Sequence, residues 1–253
     1  MIRYVVQEIH VRSETKYMKI AVMQPYFFPY LGYWQMFNAV DTFVLLDDVN
    51  YIKRGYINSN VILVNGAAHK FTIPLSKPSQ NRLIKDTKLK FSKDDKDSFL
   101  RMVTLAYKKA PLFNKFFPVF EAIVNQETDD LTSYLFESFI EIKKYLGIKT
   151  EVILSSAIDK DNSLRAEARI LEINKKLGAE VYINAIGGQN LYSYDHFSKE
   201  NIKLCFIKTL QNDYKQFNDE FVPNLSFIDV LMFNDTEKVH EMLNRYELIT
   251  NNS

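Results

Sequence analysis

Two acids and two bases stand within eight positions in the segment LLDDVNYIKRGYINSN: Asp47, Asp48, Lys53 and Arg54. A carboxylate can take a proton from an attacking amine, so Asp47 and Asp48 are the catalytic candidates. Lys53 and Arg54 can hold a phosphate, the arginine in a bidentate way. Asn58 offers a donor and an acceptor to sugar hydroxyls, and Tyr51 stands between the acids and the bases. The competing reading is an internal ion-pair network that ties the segment down. A second group precedes it in QPYFFPYLGY. There Gln24, Tyr26 and Tyr30 share a loop whose two prolines restrict its backbone, and such a loop can line a sugar or a base. Alternatively, its aromatic rings cover the end of a sheet. A third group, NAIGGQN, carries Gly187 and Gly188, which let backbone N–H groups approach a ligand closely.

Other chemistries find less support. No G-x-G-x-x-G or Walker pattern is present, and no G-x-S-x-G elbow surrounds Ser155 and Ser156. His10, His69, His196 and His240 are not spaced with a cysteine or with one another as metal ligands, so no metal is assigned. Asp229 lies in the apolar run FVPNLSFIDVLMFN and needs a partner if buried. Lys53 or Arg54 could supply it, or the acid could face the site.

The elements that must position these groups follow from apolar periodicity. Residues 19–24, 42–46, 150–154, 180–183 and 202–207 read as strands of one mainly parallel sheet, alternating with helices. The apolar runs 61–64 and 70–73 flank Asn65-Gly66, a hairpin signal. Residues 92–107, 113–124 and 129–146 read as helices. Ser92 and Asp129 or Asp130 are placed to cap the first and third, and Gly147 to end the third. Residues 33–40, 164–177, 195–200, 225–233 and 237–246 read as further helices, with Asn224 or Ser226 capping the fourth of these. The fold class is therefore α/β: a mainly parallel, Rossmann-like sheet with a helical insertion at about 92–147 and a β-hairpin. Residues 1–17 read as an N-terminal extension and 18–253 as a single domain. Ligands of open parallel sheets bind beyond the carboxyl ends of the strands. That rule selects the loops holding Gln24, Asp47 and Asp48, Ser155, and Gly187.

Bulk properties narrow the partners. The 253 residues are 47% hydrophobic and 25% charged, with a net charge of +1. That balance shows no basic excess for clamping duplex nucleic acid, and leaves tRNA conceivable only as a donor. No run approaches the ~18 apolar residues of a membrane span. The one cysteine, Cys205, sits in an apolar strand and reads as a buried thiol of a cytoplasmic protein.

The blocks AVMQPYFFPYLGYWQMF, FVLLDDVNYIKRGYINSN, NAIGG and FVPNLSFIDVL, in that order, resemble the WbqC-like family. The resemblance implies a place in O-antigen (lipopolysaccharide) or related surface-polysaccharide biosynthesis, and a glycine-transferase role suggested for some members. The expectation is an acyl- or aminoacyltransferase, glycyl transfer included, acting on the amino group of a nucleotide-linked amino sugar. The donor stays open among glycyl-tRNA, an acyl-CoA and free glycine with ATP, and no cofactor is assigned. The alternative is a non-catalytic sugar-nucleotide-binding or scaffold protein of the same pathway.

Overall fold

The computed structural model describes residues 17–217 and 220–251. The expected extension, apart from Tyr17, lies outside them. Strands β1 (Lys19–Met23), β2 (Thr42–Leu45), β7 (Glu151–Leu154), β8 (Val181–Ala185), β9 (Lys203–Thr209) and β10 (Tyr246–Ile249) form one sheet. Their order is β10-β9-β8-β1-β2-β7, parallel throughout except for β10. All five expected sheet strands are thus in a single mainly parallel sheet.

Alternation along each strand feeds two apolar layers. Ala21, Phe43, Leu45, Ile183, Cys205 and Ile207 pack on one face. They meet α1 (Leu31–Asn38), α4 (Leu131–Leu146), α7 (Phe227–Phe233) and α8 (Thr236–Leu243) there. Ile20, Val22, Val44, Tyr182, Leu204 and Phe206 point the other way, toward α5 (Ala166–Lys176) and α6 (Tyr194–Lys199). Burial pushes the Cys205 thiol up from its ordinary value.

The insertion adds α2 (Lys93–Tyr107) and α3 (Phe113–Val124) to the first face. Ser92 and Asp95 make a reciprocal capping box at the start of α2. Asp130 caps α4, and Gly147 ends it with φ +68°. The hairpin forms as the sequence implies, from β3 (Ser59–Val64) and β4 (Ala67–Thr72). Asn65 and Gly66 both take the positive φ that its tight turn requires. A two-residue ladder of β5 (Leu75–Ser76) with β6 (Lys88–Leu89) follows.

One expectation fails at the end of the chain. The run 237–246, expected as helix throughout, stops at Leu243 and turns into the antiparallel edge strand β10. The reason lies across the fold: the buried Gln35 amide donates to the Met242 and Arg245 carbonyls at 2.8 and 3.1 Å. Those acceptors are then satisfied without a further helical turn.

Candidate functional site

The parallel register sets the carboxyl ends of β1, β2 and β7 level with one another, since Met23, Leu45 and Leu154 are paired across the three strands. β1 leads to its neighbour β2 on one side, whereas β8 leads to β9 on the other. The ends of β1 and β8 therefore flank the reversal point where open parallel sheets usually take ligands.

The first loop is built around a strained residue. Phe28 has φ +45°, a left-handed conformation that bulky side chains avoid. Three hydrogen bonds hold the strand-end loop there. Asn60 Nδ2 donates to the Phe27 and Phe28 carbonyls at 3.2 and 2.7 Å, and Ser226 Oγ donates to the Phe28 carbonyl at 2.8 Å. Phe27 and Phe28 are wholly buried in the core. Tyr26 and Tyr30 stay half-buried, with their rings 5.7 and 6.5 Å from that of the exposed Tyr56. Burial, then the neighbouring phenols, raise the hydroxyls of both from the ordinary value. The loop thus divides between the two readings: its phenylalanines cover the sheet end, and its tyrosines remain partly open beside the half-buried Gln24.

Asp47 and Asp48 follow β2 and are both buried, yet their partners differ from the expected bases. Asp47 accepts from the Ser156 amide at 2.9 Å and from the Ser156 hydroxyl at 2.6 Å. Asp48 Oδ2 lies 2.7 Å from Lys160 Nζ, and its Oδ1 lies 3.5 Å from Arg169 Nη1. Arg169 also donates to the Asp48, Leu164 and Asn162 carbonyls, which fixes its guanidinium in place. Burial alone would push the Asp48 carboxyl up. The ion pair with Lys160, the nearby Ser155 and the charge of Arg169 outweigh that and hold it below its ordinary value.

Lys53 and Arg54 are exposed and make no ion pair among the described residues. Arg54 has φ +63°, at the bend of its loop. They neither neutralise the two acids nor reach Asp229. That carboxylate is instead buried among Tyr107 Oη at 2.8 Å, Tyr214 Oη at 2.6 Å and Gln216 Nε2 at 2.8 Å. Asn58 and Tyr51 are buried and bonded to each other at 2.7 Å, with Asn58 Nδ2 on the Ile73 carbonyl. Gly187 is exposed in a 3₁₀ turn, Ile186–Leu191. Gly188 is buried in the same turn, where a Cβ would come within 2.6 Å of Asn184 Oδ1. Close packing on Asn184 thus accounts for the second glycine.

An open cleft of about 510 Å³ lies beside Asp48, lined by Asn50, Lys85, Asn162, Arg165 and Arg169 among others. Three cations and one ion-paired acid give it a positive balance suited to an anion. Lys85, Lys160, Arg165 and Arg169 belong to this region without standing among the candidates that local spacing offers. Of these, Lys160 lies in the strand-end loop that follows Ser155. Among the described residues, no three His, Cys, Asp or Glu side chains come together as metal ligands. No helix among them is long and apolar enough to cross a membrane.

The profile of the WbqC-like protein family matches residues 24–241. The chain belongs to that family. In this WbqC-like chain the matched span begins at Gln24, the first residue beyond β1, and contains the whole cleft. The chain is also 26% identical over 216 residues to the uncharacterized protein Rv1507c of Mycobacterium tuberculosis (strain ATCC 25618 / H37Rv). That likeness covers 84% of this WbqC-like chain and 92% of the relative, whose name carries no activity. No solved structure matches.

Proposed function

We propose that this protein is an acyl- or aminoacyltransferase, glycyl transfer included, that forms an amide on the amino group of a nucleotide-linked amino sugar in cytoplasmic surface-polysaccharide biosynthesis. We read residues 18–253 as one Rossmann-like domain serving that reaction. The observation that carries the reading is the cationic cleft lined by Asp48, the neighbour of Asp47, beyond the carboxyl end of β2. Lys85, Arg165 and Arg169 suit a diphosphate, with Lys53 and Arg54 on the exposed loop as further contacts. Gln24, Tyr26, Tyr30 and Gly187 would border the sugar.

The two acids then take different roles. Asp48 is committed to Lys160 and Arg169, so it positions the arginine. Asp47 is the base, reached through Ser156 Oγ. The amine nitrogen attacks the carbonyl carbon of the donor, and a C–N bond forms. The bond from that carbon to the leaving group breaks, the amine proton passes through Ser156 to Asp47, and the leaving group departs with the bonding pair and takes up that proton.

The test is calorimetric titration with nucleoside-diphosphate amino sugars, followed by turnover with each donor class. Arg165→Ala should weaken binding about tenfold, the effect of losing one charge-assisted contact. Asp47→Asn should bind normally and turn over at least about a hundredfold more slowly. Unchanged binding in Arg165→Ala would refute the placement of the diphosphate.

One observation favours the non-catalytic alternative: both carboxylates already have partners within the protein. On that reading the sugar nucleotide binds, and no donor yields product.

A further inference from the structure

We propose that the cavity between the carboxyl end of β9 and the start of α1 binds a small organic molecule carrying a primary ammonium group. The cavity encloses about 250 Å³, room for a molecule of a few heavy atoms. Tyr30, Tyr214 and Phe221 supply aromatic walls. The rings of Tyr214 and Phe221 are 5.1 Å apart and inclined at 72°, so two aromatic surfaces meet in a corner.

The polar side of the cavity is rich in acceptors. Asn212 lines it and is only 9% exposed. Its Nδ2 donates to the Leu210 carbonyl at 2.8 Å, which fixes the orientation of the amide. Its Oδ1 is buried and accepts no hydrogen bond. A buried acceptor in that state costs free energy until a donor reaches it. Asp213 is the one charged side chain among the described residues lining the cavity, and its carboxylate is bonded to Gln211 Nε2 at 2.6 Å.

An ammonium group matches all three features. It brings N–H donors for Asn212 Oδ1 and Asp213, a positive charge for the carboxylate, and a cation for the ring faces. An anion would meet Asp213 with no cation to offset it, and a purely apolar molecule would leave Asn212 unpaired. Gly32 marks the tightest part of the cavity wall. A Cβ there would stand 2.7 Å from Thr209 Oγ1 and 3.0 Å from the Tyr30 ring. Tyr30 is shared with the sugar border of the transferase reading, whereas Asn212 and Asp213 take no part in it, so a change at Asp213 tests this inference alone.

The experiment is calorimetric titration of the full chain with ethanolamine and, separately, with ethylene glycol, in which a hydroxyl replaces the ammonium. Saturable binding of ethanolamine alone is expected. Asp213→Asn, at an exposed position, should weaken it about tenfold. Gly32→Ala forces Thr209 and Tyr30 to shift and should weaken ethanolamine binding wherever the variant still folds. Asp213→Asn keeps the test decisive if Gly32→Ala does not fold. Absence of ethanolamine binding, equal binding of the glycol, or unchanged affinity in Asp213→Asn would each overturn the proposal.

Discussion

Asp48 and Asp229 are both buried carboxylates, and the protein treats them in opposite ways. Asp48 faces Lys160 and Arg169, and its carboxyl is held below the ordinary value. Asp229 receives three hydrogen bonds from neutral donors, yet burial still raises its carboxyl above the ordinary value. Neutral donors offset part of the cost of burying an acid, whereas full charges reverse its effect. The difference also marks position. The ion-paired acid borders an open cleft at the sheet edge, and the neutral network ties the hairpin to α2 and α7 through Tyr107, which also accepts from the Leu63 amide at 2.8 Å.

The largest test of this contrast is Lys160→Ala. It strips a buried acid of its nearest cation, with side chains 1% and 4% exposed, and should cost about 3–5 kcal/mol in urea unfolding. A loss under about 1 kcal/mol, as for surface pairs, would mean that solvent already screens this pair. Next, Asp229→Ala should cost about 1–3 kcal/mol, because the two tyrosine hydroxyls and Gln216 lose their acceptor.

The pH dependence separates the acids by sign. Asp48 has a lowered folded value, so its contribution is present above pH 3.8 and lost as pH falls through that lowered value. Asp229 has a raised folded value, so its contribution is present below pH 3.8 and lost as pH rises through that raised value. Unfolding free energies of wild type, Asp48→Asn and Asp229→Asn, followed from below pH 3.8 to neutrality, should show differences from wild type with opposite slopes. Slopes of the same sign would end the comparison. The smallest expected effect is at the exposed loop. Arg54→Ala should change stability by no more than about 0.5 kcal/mol, and its effect on sugar-nucleotide affinity decides whether that loop touches ligand.

The outcome also shows what a sequence exposes. The strands, the hairpin turn at Asn65 and Gly66, and the caps at Ser92, Asp130 and Gly147 rest on neighbours along the chain, and they were legible. The strand β10 was not, because four residues after a helical pattern carry little periodicity, and Gln35, which ends the helix, is 207 positions away. The partners of Asp48 escaped for the same reason. Arg169 is 121 positions from it, while Lys53 and Arg54 are close in sequence and only look like partners. Local charge spacing indicated which end of the sheet is polar. The choice of partner was set by the β2–β7 pairing.

The clamp on Phe28 bears on when the protein completes itself during synthesis. Asn60 is 32 positions downstream and can grip the loop early, while Ser226 is 198 positions away. Long-range closures of that kind form late in folding. A ribosome-bound chain that has released its first two strands and the hairpin therefore still lacks the one hydroxyl that holds the aromatic loop. Chains truncated before residue 226 should therefore hold that loop less firmly than the full chain, even where most of the sheet has formed.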